Sequence, residues 1–168
     1  MEIRLTRARL QVSLTWMKRT TLSVAAAVTL LPTIVSAQGD PPEGYQALFN
    51  GKDLKGWYGW DTKDPRELWK MSPSEVEAYK AESRKDIETH WSVENGELVN
   101  DGHGLYLTTD RDYGDFELWV DYKTVPLADS GIYLRAIPQV QIWDTREEAG
   151  KWNIGADKGS GGLWNNSK

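Results

Sequence analysis

Polar and aromatic side chains recur at every second position along the segments 129–135 and 138–144, a spacing that could bind and transform a sugar. Five residues carry this pattern: Tyr133, Arg135, Gln139, Gln141 and Trp143. Successive side chains of a β-strand point to opposite faces, so these five share one face if the two segments pair in register. Guanidinium and amide groups hydrogen-bond hydroxyls, and flat rings cover the C–H face of a pyranose. The pattern predicts a carbohydrate-binding sheet face.

Three residues are candidates for catalysis on this face. Asp144 ends the second segment and is the first candidate for a general base or metal ligand, although an Asp before Thr145 could equally cap a turn. Arg135 is the candidate for polarising or orienting a bound sugar, with a surface ion pair as the alternative. Glu117 becomes a second carboxylate of the site if its strand face is concave, and a solubility residue if it is convex.

Six residues are candidates for substrate binding. Gln139 and Gln141 could donate to and accept from hydroxyls, whereas Trp143, Trp119 and Tyr133 could stack on a ring. His103 lies between two glycines and could act as a base or ligand, with a purely structural loop residue as the alternative. The chain has no Cys and no pair of His at ligand spacing, so no zinc site is predicted. A hard divalent cation held by Asp and amide oxygens stays open.

The N-terminal region predicts export. Lys18 and Arg19 precede an apolar run, 22–35, which ends in the small residues Ser36 and Ala37. These features indicate a secretory signal peptide over residues 1–37, with Met17 as a candidate start of translation. The apolar run is shorter than a membrane-spanning helix of about 20 residues, so no stable span is expected after cleavage. We therefore expect a bacterial protein of the periplasm or the extracellular space, with its fold starting after a polar leader, 38–44.

Composition narrows the function classes. The net charge is −5, and removal of the basic leader would make it more negative, so nucleic acid and anionic lipid are not expected partners. The absence of Cys means that an exported domain must be stabilised by its core without disulfides. Nine Trp residues suit both a sugar-binding protein and an ordinary β-sandwich core.

The remaining pattern predicts an all-β domain over residues 45–168. Asn95-Gly96 between apolar runs predicts a hairpin, and the alternation over 116–123 predicts a strand. The segment 54–60 reads as a loop. The charged stretch 64–88 reads as a surface insertion whose helix begins at a capping box, Ser72 to Glu75, and ends near Lys85. We expect a solvated decoration there rather than a lid, with Val76, Tyr79 and Ala78 facing inward.

Six sequence blocks resemble, in order, those of the 3-keto-disaccharide hydrolase domain family. The blocks are 47–57, 91–98, 113–118, 130–135, 140–144 and 159–164. The resemblance implies a concanavalin-like jelly-roll of two antiparallel sheets with a concave sugar-binding face. It also implies further strands after the last block, so the domain is expected to be incomplete at its C-terminus.

The resemblance further implies an enzyme acting on 3-keto-glycosides. A ketone at C3 acidifies the C2 proton, a base removes it, the C1 substituent leaves, and water then adds. Many members of the family carry Glu at the position of Gln139, and this departure favours the alternative of a lectin-like module without catalysis. An inactive truncated fragment is the third alternative.

Overall fold

The computed structural model describes residues 3–12, 41–64, 66–135 and 138–164, of which 3–12 are described by their backbone. Nine strands lie within these ranges: β1 Ile3–Val12, β2 Gln46–Ala47, β3 Trp57–Trp60, β4 Trp91–Glu94, β5 Glu97–Asn100, β6 Tyr106–Thr109, β7 Phe116–Thr124, β8 Asp129–Tyr133 and β9 Gln139–Trp143. The same ranges contain two α-helices, α1 Arg66–Trp69 and α2 Pro73–His90. Three 3-10 turns follow β9: Glu147–Ala149, Trp152–Ile154 and Ala156–Lys158.

The strands form three antiparallel sheets, in agreement with the predicted all-β class. The largest sheet contains β4, β5, β1 and β7, with β2 beside the end of β1, and the two smaller sheets are β3 with β6 and β8 with β9. This arrangement is compatible with a β-sandwich, whereas the jelly-roll strand order stays a prediction. Within the described ranges, the helices are too short or too polar to cross a bilayer.

The strand β1 falls in the segment that the sequence analysis left out of the fold. It pairs antiparallel with β7 along its whole length, from Ile3 opposite Thr124 to Val12 opposite Phe116. The register shifts between Leu5 and Arg7, where the apolar alternation of the sequence also changes phase. The apolar run 22–35 and the cleavage site of the predicted signal peptide lie outside the described residues.

Local signals place the hairpin and the long helix. Asn95 and Gly96 both have positive φ, 52° and 80°, as a two-residue turn between β4 and β5 requires. The Ser72 hydroxyl accepts a hydrogen bond from the Glu75 amide, and the Glu75 carboxylate accepts from the Ser72 amide. The predicted capping box is therefore confirmed, and α2 continues beyond Lys85 to His90.

The sequence interpretation of α2 as a surface decoration was wrong. Ile87 is fully buried and packs in the main core with Phe49, Trp57 and Leu98. The expected inward residues are less buried, because Val76 and Tyr79 are only half-buried and Ala78 is exposed. Few residues of α2 are apolar, so the sequence contained little sign that one face of the helix packs in the core.

The segment 54–60 is also corrected, because its second half is the strand β3 rather than a loop. Trp57, Tyr58 and Trp60 are all buried there, and β3 pairs with β6. The buried Ser83 hydroxyl of α2 accepts a hydrogen bond from the Gly59 amide at 3.1 Å. A Cβ at Gly59 would stand 2.8 Å from that of Leu105, so glycine allows the close approach of these elements.

Candidate functional site

The β8–β9 hairpin brings four of the predicted site residues onto one face: Tyr133, Gln139, Gln141 and Trp143. Tyr133 lies opposite Gln139, Gly131 opposite Gln141, and Asp129 opposite Trp143. These residues share a face because their positions differ by two along each strand. The in-register pairing that the sequence analysis required is therefore confirmed.

The glycine-rich segment 159–164 lies along the other edge of β9. The Gln141 backbone amide donates to the Gly162 carbonyl at 2.8 Å, and the Gly161 amide donates to the Gln141 backbone carbonyl at 2.7 Å. The Trp164 amide donates to the Gln139 carbonyl at 2.8 Å. Both edges of β9 are hydrogen-bonded, which holds its side chains in fixed positions.

A carboxylate contacted by Gln141 and Lys151 lies on this face. The Asp129 Oδ1 atom accepts a hydrogen bond from Gln141 Nε2 at 2.7 Å, and Oδ2 lies 2.6 Å from Lys151 Nζ. Gln141 is buried, whereas the Asp129 side chain is 42% exposed. The amide and the ammonium therefore orient a carboxylate that a ligand can still reach.

An amide and two aromatic rings extend the same face. The Gln139 side chain lies over Gly131, where any Cβ would collide with it. The Tyr133 ring lies 5.8 Å from the Tyr106 ring of β6 with 32° between their planes. Both rings are exposed, at 40% and 46%, so they offer an open aromatic surface beside the amide.

Burial raises the pKa of the Tyr106 hydroxyl, and the neighbouring Tyr133 and the Asp61 and Asp129 carboxylates raise it further. The Tyr106 hydroxyl is therefore protonated at neutral pH and can donate a hydrogen bond.

The Asp144 carboxylate is saturated by donors from its own surroundings. It accepts hydrogen bonds from the Leu127 amide at 2.8 Å, from the Arg146 amide at 3.1 Å and from Arg146 Nη2 at 2.6 Å. The Arg146 guanidinium, followed by the Leu127 amide, holds the pKa of this carboxyl well below its ordinary value. A buried carboxylate with so low a pKa is a weak base, so the geometry favours the turn-capping alternative.

Trp143 does not present a ring to solvent, contrary to the predicted stacking role. Its side chain is only 6% exposed, and its indole Nε1 donates to the Gly159 carbonyl at 2.8 Å. The ring meets Trp164 edge-on at 5.5 Å. Its position opposite Asp129 matches the predicted face, but the segment 159–164 covers it. Trp143 therefore packs that segment onto β9.

Glu117 and Trp119 form a separate cluster on the outward face of β7. The Trp119 indole donates to Glu117 Oε1, and the Trp119 ring lies 5.0 Å from the Tyr45 ring. Hydrogen bonds from Tyr45 and Trp119 lower the pKa of Glu117. Among the described residues, no hydrogen bond or ring contact joins this pair to the β8–β9 face, so the structure does not bring them together with Gln139 and Gln141.

Arg135 and His103 occupy different surroundings. Arg135 is exposed just after β8, with a φ of 51° that turns the chain towards β9. His103 lies beside His90 at the end of α2, and its backbone amide donates to Asp101 at 2.9 Å. Arg135 thus stays on the hairpin of the candidate site, whereas the described contacts of His103 are with another part of the fold.

Sequence reasoning did not name Asp129, Lys151 or Tyr106 as site residues. The sequence did indicate that Asp129 lies on this face, because it stands two positions before Gly131 in the same alternation as Tyr133. The sequence contained no such indication for Lys151 and Tyr106, since each reaches the face from a segment distant in sequence.

The described ranges contain a cleft away from the β8–β9 face, and no group of three metal-ligand side chains. In that part of the chain, no three His, Asp or Glu side chains converge as metal ligands would. A surface cleft of about 440 Å³ lies between α2 and the loop 53–56, lined in part by Arg84, Glu88 and Asp110. Arg84 Nη2 contacts both carboxylate oxygens of Asp110, at 2.9 and 3.0 Å. The positive charge of Arg84 is therefore already paired within the protein.

Residues 44–168 match the family described as the 3-keto-alpha-glucoside-1,2-lyase-like domain. The match includes β8, β9, Lys151 and the segment 159–164, and thus every residue of the face described above. No curated protein and no solved structure gave a significant match to the chain.

Proposed function

Because the chain belongs to the family of 3-keto-alpha-glucoside-1,2-lyase-like domains, we propose that it cleaves 3-keto-glycosides by elimination across C1 and C2. The observation that carries this proposal is the family match, which spans the polar and aromatic face of β8 and β9. In the reaction, a base takes the C2 proton and the C–H electrons form a C1–C2 double bond. The C1–O bond breaks, and the leaving oxygen takes up a proton. Addition of water to the double bond would complete a net hydrolysis.

Asp129 is the best-placed general base. Its carboxylate is partly exposed on the face, and the contacts with Gln141 and Lys151 orient it. A base must lie within hydrogen-bond reach of the proton that it removes, and an exposed carboxylate in a fixed orientation meets this need. Asp144, the sequence candidate for this role, has its oxygens directed at Leu127 and Arg146.

Lys151 and Arg135 are the cations that could stabilise the enolate. Negative charge develops on the C3 oxygen when the C2 proton leaves, and a positioned cation lowers the energy of that state. Lys151 Nζ lies 2.6 Å from the Asp129 carboxylate, so one sugar could contact both groups. Arg135 lies at the end of the same hairpin and could orient the sugar from its rim.

Gln139, Tyr133 and Tyr106 are the proposed sugar contacts. The Gln139 amide can donate to one hydroxyl and accept from another, and the two tyrosine rings can cover an apolar sugar face. Their exposure supports this assignment, because buried rings cannot stack on a ligand. We also propose that the protein is exported, since the basic pair, the apolar run and the small residues before Gln38 are typical of an exported chain. Cleavage before Gln38 would then remove β1 from the largest sheet.

A lectin-like module is the second candidate. It is favoured by Gln139, an amide that can bind hydroxyls but cannot take a proton as a carboxylate does. Such a module would use the same tyrosine rings and amide and would release the sugar unchanged.

The test uses a 3-keto-α-glucoside with a chromophoric leaving group and, as a control, the same glucoside with an unoxidised C3 hydroxyl. We expect release of the chromophore from the keto substrate alone, because only the ketone acidifies the C2 proton. Saturable binding of the keto substrate without release would support the lectin. Equal release from both substrates would contradict the elimination mechanism.

A further inference from the structure

The two histidines of the chain lie side by side although they belong to different elements. His90 is the last residue of α2, and His103 lies in the connection between β5 and β6. Their ring centroids are 6.2 Å apart, with 55° between the ring planes. The His103 side chain is exposed, and His90 is half-buried. A ligand from solvent can therefore approach both rings.

Asp101 fixes the geometry of both residues. Its Oδ2 atom lies 2.9 Å from His90 Nδ1, and its Oδ1 atom accepts a hydrogen bond from the His103 backbone amide at 2.9 Å. With Nδ1 engaged by a carboxylate, the lone pair of neutral His90 lies on Nε2. A carboxylate on the far nitrogen is also the arrangement that orients metal-ligating histidines and raises their basicity.

The backbone around the pair is braced as well. The Asn100 side-chain Nδ2 atom donates to the His90 and His103 carbonyls, each at 3.1 Å. The His90 ring packs over Gly104, where a Cβ would stand 2.7 Å from His90 Cγ. The approach of the two segments thus depends on a glycine and on an amide shared between them.

We propose that His90 Nε2 and the His103 imidazole bind one divalent transition-metal ion such as Zn²⁺, Ni²⁺ or Cu²⁺. Metal–nitrogen distances of about 2.0–2.1 Å place the centroids of two ligating imidazoles roughly 5 to 6.5 Å apart. The observed 6.2 Å falls in this range. Imidazole ligands favour these ions over Mg²⁺ and Ca²⁺, which prefer oxygen. Water or a ligand oxygen would complete the coordination.

The test is calorimetric titration of the untagged full chain with NiCl₂ and, separately, ZnSO₄. We expect one ion per chain with a micromolar dissociation constant. His103→Gln should weaken binding at least about tenfold, and Asp101→Asn should weaken it by about 10- to 100-fold through the lost orientation of His90. Glu77→Gln, which removes an exposed carboxylate of α2, is the matched control and should leave the affinity unchanged.

A second readout does not depend on variants. In proton NMR of the wild-type chain, Ni²⁺ should broaden the ring signals of both histidines at one equivalent. The proposal is overturned if only one ring responds, if millimolar metal gives no saturable binding, or if folded His103→Gln binds as tightly as wild type.

Discussion

The side chain of Gln139 lies directly over Gly131 of the neighbouring strand. A Cβ at position 131 would stand 2.6 Å from Cγ and 2.7 Å from Cδ of Gln139. Carbon atoms in favourable contact are about 3.5–4.0 Å apart, so only glycine lets the Gln139 side chain lie this close to β8. This relationship holds the Gln139 amide on the β8–β9 face, over a residue two positions along β8 from Asp129.

Gly131→Ala should therefore displace Gln139 while leaving the sheet intact. We expect kcat/KM for a 3-keto-glucoside to fall by about 10- to 100-fold, since a shift of about 1 Å in a positioning group has effects of this order. Steady-state kinetics measure the loss. Gly114→Ala is the control, because a Cβ there meets open space. Equal losses in both variants would show that the position of Gln139 is unimportant.

Tyr106→Ala should weaken sugar binding. Removing one ring of the exposed Tyr106–Tyr133 pair should raise the dissociation constant for a non-cleavable 3-keto-glycoside about tenfold, the effect of one aromatic contact. Tyr106→Phe should retain affinity if stacking dominates. Trp69→Ala, which removes a highly exposed ring from α1, is the control for titration calorimetry. Unchanged affinity in Tyr106→Ala would remove this ring from the site.

Ile87→Ala should destabilise the fold. Ile87 is fully buried between α2 and the β3 region, and truncation of a buried Ile costs about 2–5 kcal/mol because it leaves a cavity. Ile154→Ala removes the same atoms from a half-exposed 3-10 turn and should cost far less. Urea unfolding of the two variants gives the comparison. Similar losses would restore the interpretation of α2 as a decoration.

Asp144→Asn should lower stability at neutral pH by removing the carboxylate that Arg146 and the Leu127 amide bind. The folded pKa of Asp144 lies below its ordinary value of about 4. Its contribution is therefore complete above that ordinary value and is lost as pH falls through the folded pKa. We expect a melting temperature several degrees lower at pH 7 and a smaller difference in acid, measured by circular dichroism. Asp115→Asn, at an exposed position, should show neither effect, and a difference that grows in acid would contradict the account.

Local signals were enough to predict the hairpins and the helix start. Asn95-Gly96 fits the positive φ angles of its turn, and Ser72 and Glu75 satisfy each other's amides within one helical turn. The alternation around Gln139 and Gln141 gave the shared face of β8 and β9, because strand periodicity is a property of neighbours in sequence.

Local sequence patterns did not predict the contacts between distant segments. Lys151 reaches Asp129 from the loop after β9, and Tyr106 reaches Tyr133 from another sheet. For Asp144 the sequence left a base and a turn cap equally open, and the hydrogen bonds from Leu127 and Arg146 favour the cap. The contacts of Lys151, Tyr106 and Leu127 depend on the tertiary arrangement, on which alternation and turn residues carry no information.

The most direct test is the exchange of the C2 proton of a 3-keto-glucoside for deuterium, followed by proton NMR in deuterated buffer. Wild type and Asp144→Asn, compared under conditions where both are folded, should exchange the proton at similar rates. Asp129→Asn should be slower by about 100-fold or more, the usual contribution of a general base. Exchange by Asp129→Asn at the wild-type rate, or its loss in folded Asp144→Asn alone, would contradict the assignment of Asp129 as the base.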